Sequence, residues 1–149
     1  MLKHFLLLLV AAISIQAATV YAQEKRPEVS RYVKAYSGAE NTIAWTTRIG
    51  PESNNEALLQ FFGIDHPLDL KILKVSVEHI RGEYRYIIQK NDPQYPEHTV
   101  LVLNNEGSGT VFLPKSSRSF SVRYDKSLSE QGNSERFLSD YLIQEQGKK

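Results

Sequence analysis

Apolar and polar residues alternate along most of the chain between residues 43 and 124. In NTIAWTTRI, residues 41–49, Ile43, Trp45, Thr47 and Ile49 share one face. Period-two spacing of β-branched and aromatic side chains predicts a strand. KILKVSVEHI, residues 71–80, sets Leu73, Val75, Val77 and His79 opposite Lys74, Ser76 and Glu78. RGE then turns, with Gly82 free to take the positive φ that hairpins need, and YRYIIQK returns with Tyr84, Tyr86 and Ile88 aligned. TVLVLN, residues 99–104, is apolar on both sides and predicts a strand covered on each face. After the NEGSG turn, TVFLP runs back, KSSRS turns again, and SFSVRY places Phe120, Val122 and Tyr124 against Ser121 and Arg123.

Two segments depart from this rhythm. ALLQFFGI, residues 57–64, is too continuously apolar for periodicity to assign, and Gly63 and Pro67 favour a strand by closing it early. NSERFLSDYLIQEQG carries Phe137, Leu138, Tyr141 and Leu142 at helical spacing, with Asn133 or Ser134 able to cap its start and Gly147 just past its end. The pattern predicts one amphipathic helix at about residues 133–146. The expected fold is mainly β: an antiparallel sandwich or open barrel of six to eight strands, with this helix docked on the sheet. The lead QEKRPEVSR, from Gln23, reads as polar and mobile.

The first 22 residues have a different character. Lys3 is followed by a run, residues 5–15, that is apolar apart from Ser14. That run is shorter than the roughly 20 residues that span a bilayer. With Val20-Tyr21-Ala22 behind it, it predicts a secretory signal peptide cleaved after Ala22. Residues 23–149 then form one domain of the periplasm or the extracellular space, with no membrane insertion after cleavage.

Charge and composition narrow the function. The chain has 18 Lys and Arg against 17 Asp and Glu; losing Lys3 makes the balance even, which supplies no field for nucleic acid or an anionic membrane. It has no cysteine, which excludes disulfides, a thiol nucleophile and a thiolate zinc site.

Candidate chemistry centres on GIDHPLDLK, residues 63–71. Asp65, His66 and Asp69 offer oxygen and nitrogen ligands for a divalent metal, with His79 or His98 joining from neighbouring strands. The competing structural reading makes the stretch a turn: Asp bonds its own backbone, Pro67 ends the strand, and no two of these histidines stand at the one-turn spacing of helical metal sites. His79 and His98 read as histidines at the rim of a sheet. Ser108 in EGSGT lacks the setting of a nucleophile elbow. Asp65 and Asp69 lie on one exposed loop, which does not suit the acid pair of a glycoside hydrolase.

Lys115 and Arg118 in KSSRS offer cations for a phosphate or sugar acid, or simply a solvated turn. Trp45, Tyr84, Tyr86, Tyr95 and Tyr124 suit either a sugar- or protein-binding surface or, for those that alternate, the core. Tyr95, in a loop with Pro93 and Pro96, is expected to be exposed. The leading expectation is a non-enzymatic binding protein without a cofactor. Its partner would be another periplasmic or envelope protein, with inhibition or protection of an envelope enzyme as its role. The second is a carrier of a small ligand or metal through Asp65, His66 and Asp69. The third is a cell-wall hydrolase.

Overall fold

The computed structural model describes residues 25–148; the expected signal peptide lies outside the described residues. Eight strands follow one another: β1 (Lys34–Gly38), β2 (Ile43–Arg48), β3 (Glu56–Phe62), β4 (Ile72–Ile80), β5 (Glu83–Ile88), β6 (His98–Asn104), β7 (Ser108–Phe112) and β8 (Ser119–Tyr124). Each pairs antiparallel with the next, and β8 returns to β1, so the sheet closes. The fold is therefore a closed up-and-down barrel, neither the sandwich nor the open barrel that the alternation equally allowed. Two helices follow, α1 (Lys126–Gln131) and α2 (Ser134–Gln146). The second is the expected one, and α1 and β1 are additions to the sequence reading.

Closure gives every strand an inside and an outside. Ala44, Ala57, Leu59, Phe61, Leu73, Val75, Ile88, Leu101, Leu103, Val111 and Val122 belong to one buried cluster inside the barrel. The run in β3 shows no clean period because both its faces are covered. Leu59 and Phe61 point in, while Leu58 lies outside and packs with Val33, Ile49 and Ile72 against Phe137 and Leu138 of α2. The face of residues 43–49 that sequence marked as apolar is likewise the outer one, with Trp45 packed beside α2 and small Ala44 turned inward.

The seam between β1 and β8 has a register of only three residues, Tyr36–Tyr124, Ser37–Arg123 and Gly38–Val122. Below it α1 takes over. Asp125 caps this helix by accepting from the Leu128 amide at 3.0 Å, and its own amide donates to the Ala35 carbonyl at 2.8 Å. Ser129 Oγ accepts from the Ala35 amide at 2.8 Å. The strand that β8 leaves unpaired thus still has its backbone satisfied, as a buried strand must.

The lead is ordered from Arg26 onward, contrary to the expected mobility. Its guanidinium donates to the Glu135 carbonyl, the Glu135 carboxylate and Ser139 Oγ at 3.0–3.1 Å, and Val29 bridges to Ile49. Farther along α2, the Gln144 amide acts as a piece of strand: its oxygen accepts from the Ile72 amide at 2.9 Å and its nitrogen donates to the Ile72 carbonyl at 2.8 Å. Replacing Gln144 by Ala strands both groups of a residue that is 5% exposed. The expected cost is about 1–3 kcal/mol, read as a lower urea midpoint with an unchanged slope.

Candidate functional site

The two ends of the barrel differ in chemistry. At one end, three connections fold inward and seal it. Ile64 and Leu68 from the 63–71 stretch, Tyr95 from the β5–β6 loop and Leu113 from the β7–β8 loop all join the inner cluster. GIDHPLDLK is part of this plug, with Ile64 and Leu68 turned into the barrel. Gly63 takes φ +76°, and a Cβ there would lie 2.6 Å from the Asn41 carbonyl oxygen, so glycine alone allows the close pass.

The polar residues of the plug serve its geometry. The Leu68 amide donates to His66 Nδ1 at 3.1 Å, and His66 Nε2 lies 2.9 Å from the Pro114 carbonyl. An amide only donates and a carbonyl only accepts, so the ring is the neutral Nε2–H tautomer with both nitrogens engaged. The Asp69 carboxylate accepts from the Ile64 amide at 3.2 Å. Asp65 is exposed beside them.

The remaining sequence candidates are dispersed. His98 Nε2 meets the Phe112 carbonyl at 3.1 Å, and the Arg118 guanidinium lies 5.2 Å from the centre of the Phe120 ring. Lys115 is exposed, in the left-handed conformation at φ +57°. Tyr95 corrects the expectation of an exposed contact: it is buried. Asp92 Oδ1 accepts from the amides of Gln94 and Tyr95 at 2.8 Å each, a turn that sends the ring into the barrel. Among the described residues, no three His, Cys, Asp or Glu side chains stand close enough to share a metal ion.

The open end is a mouth lined by tyrosines. Tyr36 of β1, Tyr84 and Tyr86 of β5 and Tyr124 of β8 surround a cavity of about 530 Å³, with Lys34, Leu103 and residues 104–107 completing the wall. In an eight-strand barrel β5 lies across from the β1–β8 seam, so the phenols face one another over the opening. Two cross-strand aromatic pairs build the opposing walls. Tyr36 and Tyr124 are directly opposite in register and meet edge to face, with centroids 5.8 Å apart. His79 and Tyr84 are opposite in register and stack at 4.4 Å. Such pairs hold each other's rotamers. Gly107, at φ +80°, completes the rim: its carbonyl accepts from the Tyr124 amide at 2.7 Å, and a Cβ on it would come within 2.9 Å of the Tyr124 Cβ.

Burial keeps two of these phenols protonated. Burial holds Tyr36 far above the ordinary tyrosine range, and the neighbouring phenols of Tyr86, Tyr124 and Tyr84 push the same way. Burial also raises Tyr86, against the opposing pull of a hydrogen bond with Thr46. Tyr84, Tyr86 and Tyr124 were legible as aromatic positions, but their alternation is that of core residues. Tyr36, Lys34 and residues 104–107 carried no signal of their own, because only closure of the sheet brings them together.

A phenol away from the mouth responds to pH in the same sense. Tyr141, half-buried on the face of α2 that packs on the barrel, is pushed from 10.0 up to about 12 by burial, with Glu145 and Glu56 adding to it. Tyrosines ionise at about 10 in the unfolded chain, so their contribution to stability is whole below that pH. It is lost as pH rises through the window from 10.0 to about 12 that Tyr141 defines. Tyr141→Phe, which cannot ionise in either state, is expected to raise the midpoint of alkaline unfolding, followed by circular dichroism. Comparison of the chain with protein-family models, with curated proteins and with solved structures finds no match to any of them.

Proposed function

We propose that the protein is an exported binding protein that takes a small molecule in the tyrosine-lined mouth of its barrel. One observation carries this reading: an interior packed solid at one end opens at the other into a cavity of about 530 Å³ walled by four phenols. That volume falls within the roughly 300–1,000 Å³ of small-ligand sites. The walls come from strands of a closed sheet, which hold their side chains more firmly than loops do. Tyr84 and Tyr124 are 39% and 44% exposed, so part of each large ring is left to be covered. Glu106 is the one carboxylate lining the mouth among the described residues. Binding therefore suits the site better than hydrolysis by an acid pair.

A protein partner is the second reading, favoured by one feature of the rim. Ile80, 40% exposed, ends β4 on the outer face of the barrel, opposite Glu83 in register. A partner that inserts a side chain between Tyr84 and Tyr124 and also wraps the outer rim would cover all three.

The two readings separate in a ligand-observed NMR screen of a small-molecule fragment set. Wild-type protein is expected to bind fragments, and Tyr84→Ala/Tyr124→Ala to weaken them about tenfold or more. His66→Ala, in the plug at the far end, should loosen the fold and leave fragment affinity unchanged. Fragments that survive loss of both tyrosines, or that depend on His66 instead, would overturn the small-molecule reading of the mouth.

A further inference from the structure

The mouth also indicates what kind of molecule fits it, an inference that rests on the proposed binding role. We infer that the ligand is an uncharged ring bearing several hydroxyls, of the saccharide class. Three features of the wall point the same way.

The first is charge. Lys34 and Glu106 are the ionised side chains lining the cavity, one of each sign, and neither forms an ion pair among the described residues. A cationic ligand in this aromatic setting would gain from the ring faces but would meet Lys34. An anionic one would meet Glu106. A neutral ligand meets neither penalty and can hydrogen-bond both.

The second is the match of donors to acceptors. A protonated tyrosine hydroxyl both donates and accepts, as does a sugar hydroxyl, and burial keeps Tyr36 and Tyr86 in that form. Asn104 Oδ1 is occupied by the amides of Glu106 and Ser108 at 3.0 Å each, which fixes the side chain and leaves its NH₂ as a donor. Asn105 adds a second amide at the same rim. An apolar ligand would cover the Tyr36 hydroxyl and the exposed Asn104 and Asn105 amides without offering them partners, at about 1–3 kcal/mol for each group it buries.

The third is shape. His79 stacks on one face of the Tyr84 ring and Leu103 is its register neighbour on the other side, so the 39% of Tyr84 that stays exposed is the part a ligand ring can cover. Below the mouth Leu103 and the packed core close the floor. A long acyl chain finds no tunnel, whereas a ring laid across the opening, its C–H face on an aromatic, does find a seat.

The test is a two-dimensional NMR titration of the full mature chain with glucose, N-acetylglucosamine, cellobiose, tetramethylammonium chloride and sodium benzoate, each at low and high sodium chloride. The expected result is saturable shifts of the Tyr84, Asn105 and Gly107 amides with at least one sugar, insensitive to salt. Tyr84→Ala should weaken that sugar by about three- to tenfold, and Asn105→Ala, on an exposed turn, should weaken it without touching the core. Mouth shifts with tetramethylammonium or benzoate alone, fading as salt rises, would overturn the ligand class and leave the mouth as a binding site. No mouth shift with any probe would overturn both, as would sugar binding indifferent to both substitutions.

Discussion

Everything in this molecule depends on closing a sheet with few residues at the seam. β1 has five residues, and only three of them register with β8. An open edge at that point would expose backbone amides and carbonyls to strand addition by another chain. The chain prevents it with Asp125 and Ser129, whose bonds to Ala35 continue the ladder from a helix instead of a strand. Because the sheet closes, alternate residues of all eight strands share one interior. The remaining structure follows from how that interior is filled.

It is filled unevenly. Three inward-folded connections carry Ile64, Leu68, Tyr95 and Leu113 into one end, and His66 and Asp69 spend their polar atoms holding that fold of the chain. At the other end the β4–β5 and β6–β7 turns have too little chain to fold inward, and the longer β2–β3 connection places Ile49 in the outer cluster instead. Phenols occupy that space, each with an apolar ring for the core and a hydroxyl for the opening. The two ends are thus built differently: inward-folded connections close one, and strand ends bearing tyrosines line the other.

Much of this was legible in local pattern, and the parts that were not share a cause. Strands such as β4, β5 and β8 alternate cleanly because one face meets the core and the other meets water. β3 hid its period because α2 covers the outer face that water would otherwise have marked. α2 itself declared its caps, and Asn133 Oδ1 does accept from the Arg136 amide at 2.9 Å. β1 was silent, being five residues of small and polar character, KAYSG. Tyr95 misled because proline-rich loops usually face solvent, and the direction of this one is set by the Asp92 turn. The mouth needs Tyr36 and Tyr84 on facing walls, a relation that barrel closure creates and no window of sequence contains.

One feature gives the protein a built-in pair of optical reporters. Its single tryptophan, Trp45, sits on the outer wall against the cluster beneath α2, while Tyr36, Tyr84, Tyr86 and Tyr124 ring the mouth. Indole emission will follow detachment of the helix from the wall, while half of the chain's eight tyrosines report from the opening. Of the two signals, the indole's belongs to the outer layer alone.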